Sequence, residues 1–356
     1  MKRLYSFLIG IVAIVVVLWL VSVQLENQTK TSGGDKLVIY NWGDYIDPEL
    51  LEQFTKETGV QIQYDTFDSN ESMYTKIKQG GTTYDIAIPS EYMIAKMIKE
   101  NLVEKLDHKQ IKGMENIGSD FLDQPFDPGN QYSIPYFWGT LGIVYNSKLV
   151  DKAPEHWDDL WRPEYKNSIM LIDGAREVMG LGLNSLGYGL NDKNADHLQE
   201  AVDKLYKLTP NIKAIVADEM KGYMIQNNAA IGVTFSGEAR QMLEKNEDLR
   251  YVVPSEASNL WFDNIVIPKT VKNKKAAYQF INFMLRPENA YKNALYVGYA
   301  TPIPKAKALL PKEVQDDEAF YPTAETMKHL EVYKQIGPKW LGIYNDLYLQ
   351  VKMYRK

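Results

Sequence analysis

Short apolar runs alternate with amphipathic stretches in the part of the chain that follows residue 36. The apolar run over residues 37–40 predicts a buried strand, and the alternation of Val60, Ile62 and Tyr64 predicts a second strand. These two strands span residues 37–40 and 60–64. The same reasoning predicts a third strand over residues 85–89 and helices over residues 48–58 and 72–79. This βαβαβ order predicts a parallel sheet with right-handed crossovers.

The first predicted helix carries signals for both of its ends. Asp47 is suited to accept hydrogen bonds from the first free amides, and Pro48 suits the first helical position. Gly59 follows the last apolar residue of the stripe and favours a helix end there. These signals predict a helix that begins at Pro48 and ends just before Gly59.

The remainder of the chain predicts more elements of both kinds and a second domain. Strands are predicted over residues 133–144, 168–172, 229–235 and 260–264, helices over residues 178–186, 195–208 and 276–285, and a polar, aromatic region over residues 340–354. A chain of 356 residues exceeds one typical core, so two domains are expected. We expect one lobe over residues 36–138 and 265–310 and the other over residues 139–264 and 311–356, with residues 1–35 as a signal or anchor segment and tether.

Polar and aromatic side chains follow several of the predicted strands. Ligands of parallel α/β sheets bind just beyond the carboxyl ends of the strands, so these side chains are candidate ligand contacts. An acid directly after a strand can also cap the following helix, and Asp173 is open to both roles. The candidates at strand ends are Trp42, Asp44, Tyr45, Ser90, Tyr92, Asp173 and Glu177.

The stretch Leu260–Asn264 brings an indole and a carboxylate to one face of a strand. Side chains alternate along a strand, so Trp261 and Asp263 point to the same side. A carboxylate neutralises a cation, and the face of an indole adds cation–π attraction. The pair therefore suits a cation with an apolar body. The alternative is an ordinary half-buried strand with tryptophan in the core.

Composition and charge narrow the function classes. The chain is 45% apolar and 24% charged, which is usual for a globular protein. A formal net charge of −6 argues against a nucleic-acid partner and is compatible with a cationic ligand. The sequence has no cysteine, which excludes disulfides, thiolate nucleophiles and cysteine metal sites.

The sequence also lacks the short motifs that would indicate an enzyme. It has no phosphate-binding GxGxxG or Gly-Lys-Ser/Thr loop, no GxSxG elbow and no EF-hand spacing. Its four histidines, His108, His156, His197 and His329, are scattered without metal-ligand spacing. We therefore expect a binding protein that has no cofactor and no metal.

The amino terminus carries an export signal. Lys2 and Arg3 precede an uncharged apolar run over residues 7–23, which fits either a signal peptide or a membrane anchor with its amino terminus inside. The run is just long enough to span a bilayer, and no cysteine exists to receive a lipid. Both alternatives place the remainder of the chain outside the cytoplasm.

Several stretches together resemble the polyamine-binding proteins of bacterial ABC importers, the spermidine/putrescine-binding proteins. The resemblance runs through most of the chain after the tether. Its specificity comes from the combination, since no single stretch would suffice. The stretches are residues 40–46, 87–92, 133–139, 173–178, 260–263 and 298–302.

The resemblance implies a two-lobed α/β fold of the periplasmic-binding-protein type II, with the ligand in the cleft between the lobes. It implies that aromatic side chains flank the methylene chain and that carboxylates receive the ammonium groups. It also implies an ABC permease and ATPase as partners and a monomer. The site that it implies is Trp42, Asp44, Tyr45, Ser90, Tyr92, Glu177, Phe235, Trp261, Asp263 and Tyr299.

This chain departs from the family pattern at a few of these places. Gly174 stands where relatives have an acid, with Asp173 just before it, and Phe235 stands where relatives have a tryptophan. A threonine of the first loop is replaced by Gly43, and the glutamine near the carboxyl terminus aligns with Leu349 or Gln350. These departures leave the preference between spermidine and putrescine open.

Rival functions differ in the chemistry that they need. An anion binder would present arginine, lysine or helix amino termini in its cleft, whereas the candidate stretches present acids and aromatics. A sugar-binding protein of the same architecture also uses stacked aromatics and acids, so it remains an alternative. An extracytoplasmic hydrolase with a carboxylate pair is a further, weaker alternative.

Overall fold

The computed structural model describes residues 35–217 and 219–354, so the prediction for the segment over residues 1–34 lies outside the described residues. The strands are β1 (Lys36–Trp42), β2 (Gln61–Phe67), β3 (Ile86–Ala87), β4 (Ser133–Asn146), β5 (Ile169–Ile172), β6 (Ile212–Val216), β7 (Ile231–Phe235), β8 (Leu249–Val252), β9 (Ser258–Val266) and β10 (Leu330–Glu331).

The first nine helices are α1 (Pro48–Thr58), α2 (Asn70–Gln79), α3 (Glu91–Lys99), α4 (Ala175–Asn184), α5 (Ala195–Leu208), α6 (Glu219–Ile225), α7 (Ser236–Leu243), α8 (Lys274–Met284) and α9 (Pro287–Val297). They are followed by α10 (Pro304–Lys307), α11 (Lys312–Gln315), α12 (Ala324–Met327) and α13 (Pro338–Met353). None of the helices in the described ranges is both long enough and apolar enough to cross a membrane.

The strands form a curled mixed sheet in the order β2-β1-β3-β9-β4-β7-β5-β6, with β10 beside β9 and β8 beside β4. The sheet is parallel at its two ends, where β1 pairs with β2 and β3 and β5 pairs with β6 and β7. The antiparallel pair of β4 and β9 lies between these ends. The predicted parallel βαβαβ unit is therefore confirmed for β1 to β3.

Strand β4 changes its partner along its length. Ser133 to Thr140 pair with β9, and Leu141 to Tyr145 pair with β7. The change falls close to residue 138, where the sequence predicts the end of the first lobe segment. The lobe boundaries themselves stay a prediction.

Buried side chains collect on both sides of the central pair. Under the first sheet end, Phe54 of α1 packs edge-on against Phe280 and Phe283 of α8, with ring centroids 5.5 Å apart in both pairs. Around the other end, Leu205 of α5 and Tyr344 of α13 belong to one cluster of fully buried residues. The β4–β9 pair thus runs between two packed regions, and the candidate residues lie on and beside it.

Candidate functional site

Asp263 of β9 is a buried acid with a hydrogen bond to each of its two carboxyl oxygens. The Tyr45 hydroxyl donates to its Oδ2 and the Ser90 hydroxyl donates to its Oδ1, both at 2.7 Å. Asn70 donates to Ser90 Oγ at 3.0 Å, which leaves the serine proton for Asp263. The carboxyl is 5% exposed, and burial raises its pKa to about 6 although both hydroxyl bonds lower it. Both oxygens of this carboxylate are therefore fixed, and one donor, Tyr45, lies 218 residues earlier in the sequence.

Aromatic rings surround this carboxylate. Trp261 meets Tyr299 edge-on, with ring centroids 5.0 Å apart, and meets Phe235 edge-on at 6.1 Å. Tyr299 in turn meets Tyr45 at 5.4 Å. The structure thus brings Tyr45, Ser90, Phe235, Trp261, Asp263 and Tyr299 together, which combines ring faces with a negative charge.

Two glycines make room for these rings. Gly139 lies opposite Trp261 in the β4–β9 register, and a Cβ there would come within 2.6 Å of the indole. A Cβ on Gly237 would come within 2.1 Å of the Tyr299 ring. Both distances are far below a normal contact, so the aromatic positions depend on the absence of a side chain at these places.

A second group of acids lies around Glu177 at the first turn of α4. A Cβ on Gly174 would lie 2.1 Å from Glu177 Oε2, so this side chain folds back over the helix start. Burial raises the pKa of Glu177, Arg176 opposes the shift, and Glu71 adds to it. Burial likewise raises the pKa of Tyr92, followed by the charges of Glu71 and Glu177. Tyr92 and Glu177, which belong to different predicted lobes, are thus close enough to influence each other.

Asp173 lies elsewhere. Its carboxylate accepts hydrogen bonds from the Tyr348 hydroxyl and from Lys352 Nζ, both on α13, the latter at 2.6 Å. Burial acts to raise the pKa of Asp173, but the bonds from Lys352 and Tyr348 outweigh it and lower the pKa. Gly174 is the residue that precedes α4 as its cap, and no side chain caps that helix. Asp173 therefore does not cap α4 and has no hydrogen bond to the group around Asp263. It bonds instead to the last helix, α13.

Other candidates lie at the edge of the aromatic group or away from it. Trp42 is half-buried; its Nε1 donates to the Ile88 carbonyl at 3.0 Å, and its ring lies 4.6 Å from Phe67. Asp44 is exposed in the turn after β1, with a positive φ of 49°. Leu349 and Gln350 are both exposed on α13.

The structure adds two residues that sequence reasoning missed. Glu91 is completely buried at the start of α3, and Tyr333 is 5% exposed with the Arg176 guanidinium 4.4 Å from its ring centre. The position of Glu91 between Ser90 and Tyr92 was a signal that could have identified it. Tyr333 had no such signal, because it lies in an irregular segment far along the chain.

Within the described ranges, no group of three or more histidine, aspartate or glutamate side chains is arranged to hold a metal ion. The acids around Asp263 and Glu177 are instead accompanied by hydroxyl donors and rings. Such surroundings suit an organic cation, whose charge is met by carboxylates and whose carbon chain is met by aromatic faces.

Comparison with known proteins identifies relatives along most of the chain. Residues 49–323 match the family model for bacterial extracellular solute-binding proteins. The "Spermidine/putrescine-binding periplasmic protein" of Salmonella typhimurium is 40% identical over 326 residues, which cover 91% of this chain and 93% of that protein.

Solved structures agree with this assignment. The spermidine/putrescine ABC transporter substrate-binding protein PotD of Streptococcus pneumoniae, in complex with calcium and HEPES, is 76% identical, with a TM-score of 0.85 over 91% of this chain and all of that one. A putative spermidine/putrescine ABC transporter protein of Listeria monocytogenes is 60% identical, with a TM-score of 0.85 over 90% of this chain and all of that one. These matches confirm the predicted α/β periplasmic-binding-protein fold. The chain belongs to the bacterial extracellular solute-binding proteins.

Proposed function

We propose that this protein is the extracytoplasmic substrate-binding component of a polyamine ABC importer, which captures spermidine or putrescine and delivers it to a permease. The observation that carries the proposal is the buried Asp263 carboxylate, held by Tyr45 and Ser90 beside the rings of Trp261 and Tyr299. The names of the relatives support the same ligand class. The family is one of binding proteins, so capture rather than catalysis is the activity.

Polyamines match the two kinds of surface in this site. Their amines are protonated at neutral pH, and a buried ammonium group is costly unless a carboxylate pairs with it. Charge-assisted hydrogen bonds to Asp263 and Glu177 would meet that need. Each methylene buried against the rings contributes about 0.8 kcal/mol, opposed by frozen rotations and lost hydration. The ring group around Trp261 supplies the apolar surface.

Closure of two lobes around the ligand is part of the proposal. Residues 36–138 with 265–310 and residues 139–264 with 311–356 would be the lobes, and β4 and β9 would cross between them. Tyr92 belongs to the first lobe and Glu177 to the second. A ligand that contacts both binds the closed form better than the open form and shifts the population towards it.

The partners and location follow from the same proposal. The closed form would dock on a membrane permease that an ATPase drives from inside the cell. The chain would act as a monomer on the outer side of the cytoplasmic membrane, where the segment over residues 1–35 would either anchor it or serve as a signal for its export. No nucleic acid takes part. The periplasmic relatives support the extracytoplasmic location.

Calorimetric titration with spermidine, putrescine and a neutral sugar tests the ligand class. We expect binding of at least one polyamine and no heat from the sugar, because an uncharged ligand leaves the Asp263 and Glu177 charges unmatched. Sugar binding without polyamine binding would favour the alternative of a sugar-binding protein, for which stacked rings and acids also serve. Binding of neither class would refute the proposed function.

A further inference from the structure

Glu91 is a buried acid that the binding scheme above does not use. It is 0% exposed, and its Oε2 accepts a hydrogen bond from the backbone amide of Phe262 at 3.0 Å. Phe262 lies directly between Trp261 and Asp263 on β9. Glu91 is therefore fastened to the strand that presents the proposed cation site, from the position between Ser90 and Tyr92.

The other oxygen of this carboxyl makes no hydrogen bond that would stabilise the described part of the fold. Glu91 Oε1 is buried and has no hydrogen-bond partner among residues 35–217 and 219–354. A buried, unpaired carboxylate oxygen is costly, whereas a protonated carboxyl avoids the cost of a buried charge. The geometry thus favours a proton on Glu91 as long as no positive charge is near.

The groups that face Glu91 come from four parts of the chain. They include one other acid, Asp263 of β9, and one cation, Arg176 of α4. The hydroxyls of Tyr92 on α3 and Tyr333, before α13, also lie in range. Burial raises the pKa of Glu91 to about 8, the backbone amides of Phe262 and of Glu91 itself oppose the shift, Asp263 adds to it, and Arg176 opposes it least. Arg176 alone does not offset the burial.

We propose that Glu91 is a further acid of the cation site, which carries a proton in the empty protein and releases it to solvent when an ammonium group of the ligand binds at Asp263. The inference rests on the proposed polyamine function. In this step the O–H bond of the carboxyl breaks, the proton passes to water or buffer, and Glu91 becomes a carboxylate. The site gains one negative charge as the cation enters.

The size of the electrostatic effect is sufficient for this release. An opposite charge within about 4–6 Å lowers the pKa of a carboxyl by about 1–3. Such a change would lower the pKa of Glu91 from about 8 to between about 5 and 7. Glu91 then adjusts the charge of the site to its occupant, so the empty protein avoids a second buried negative charge beside Asp263.

A pH-stat titration in unbuffered salt solution at pH 7 counts the protons directly. Spermidine is added to the wild-type protein, and the released protons are compared with the amount bound. We expect between about half a proton and one proton for each spermidine, because a carboxyl of pKa near 8 is mostly protonated at pH 7 and loses that proton more completely the further its pKa falls. Omission of buffer also avoids HEPES, which is present in the pneumococcal relative's structure.

Two variants assign the proton. Glu91→Gln keeps an acceptor for the Phe262 amide but has no proton to lose, so we expect about a tenth of a proton, from Asp263, and about tenfold weaker spermidine binding at pH 7. Glu100→Gln is the matched control: it removes an acid at the other end of α3 whose partners are Lys78 and Tyr74. It should release protons like the wild type.

The outcomes separate this inference from the proposed function. Spermidine binding to the wild type without proton release would overturn the role of Glu91 and leave the polyamine function intact. Equal release from wild type and Glu91→Gln would also overturn it. Absence of spermidine and putrescine binding to the wild type would refute both. If Glu91→Gln does not fold, a wild type that releases no more than about a tenth of a proton still overturns the inference.

Discussion

Asp263 shows how neighbouring side chains prepare a single residue for its proposed role in binding. Two hydroxyls, from Tyr45 and Ser90, fix both of its oxygens before any ligand arrives. Ser90 is itself fixed, since Asn70 bonds to both its hydroxyl and its backbone amide at 3.0 Å. A carboxylate held in this way loses little freedom on binding, which favours affinity.

Asp263→Asn should weaken spermidine binding about tenfold or more and leave the fold intact, because one charge-assisted contact is worth about 1.5–3 kcal/mol. Calorimetry measures the affinity, and thermal unfolding checks the fold. Asp173→Asn is the control, since Asp173 bonds to Tyr348 and Lys352. Wild-type affinity in folded Asp263→Asn would contradict the site. Equal weakening in both variants would show that Asp173 is also a ligand contact, as its position after a strand predicts.

Glu91 also makes a prediction for stability without ligand. Its pKa in the folded protein, about 8, lies above the ordinary value of 4.5, so the folded state keeps a proton that the unfolded state loses. The stabilising effect is complete below about pH 4.5 and is lost as the pH rises to about 8. Glu91→Gln cannot lose a proton. Its stability relative to the wild type should therefore rise between pH 5 and pH 8, by a few kcal/mol at most, on the order of 1.4 kcal/mol for each pH unit.

Thermal unfolding at a series of pH values, without polyamine, measures this difference. The Glu100→Gln variant is again the control, because its carboxylate lies at the other end of α3. A stability difference between Glu91→Gln and wild type that stays constant from pH 5 to pH 8 would show that Glu91 is already ionised in the folded protein at pH 5, and would contradict the raised pKa.

At the scale of elements, local signals predicted those parts of the fold whose causes are local. The Asp47 side chain accepts from the Glu49 amide, Pro48 opens α1, and Gly59 ends it with a φ of 74°. The sequence analysis predicts the helix over residues 276–285 but not α9, which follows it. Pro287 begins α9, and the fixed φ of proline suits a first helical turn.

The carboxyl-terminal region shows that a sequence pattern does not reveal contacts between distant parts of the chain. Residues 340–354 were predicted as a polar region with aromatics, yet Pro338–Met353 is a helix with Tyr344 and Tyr348 buried. Its position depends on Asp173, which lies 175 residues earlier than Tyr348. The convergence of strand ends is a local rule that predicts which residues lie near one another, whereas the Asp173 side chain bonds to Tyr348 and Lys352, which are distant in the sequence.

The close packing of β4 on β9 allows the effect of adding one methyl group at Gly139 to be predicted. Gly139→Ala should displace the Trp261 ring and weaken spermidine binding about tenfold, since the new Cβ would lie 2.6 Å from the indole. Gly222→Ala is the control, because nothing lies within 4 Å of a Cβ there. Calorimetry gives the affinity and tryptophan fluorescence reports the ring. Wild-type affinity in Gly139→Ala would show that this position of Trp261 is not needed.

At the scale of the whole molecule, acids of both predicted lobes act on the proposed site. After burial, the charges of Glu71 and Glu177 raise the pKa of Tyr92, and Glu71 raises that of Glu177. We expect this like charge to oppose closure of the empty protein. A cation between them removes this repulsion. The net charge of −6 also favours the approach of a polycation to the protein.

Spermidine should therefore compact the protein and stabilise it. Small-angle scattering should show a smaller radius of gyration at saturation, because a ligand that contacts Tyr92 and Glu177 favours the closed form. At a spermidine concentration of about 100 Kd, linkage adds about 2.7 kcal/mol to the free energy of unfolding, which raises the melting temperature. Asp263→Asn at the same spermidine concentration should show less of both effects. A raised melting temperature with an unchanged radius of gyration would mean that spermidine binds without moving the lobes, and closure would then have to be abandoned while the binding site stands.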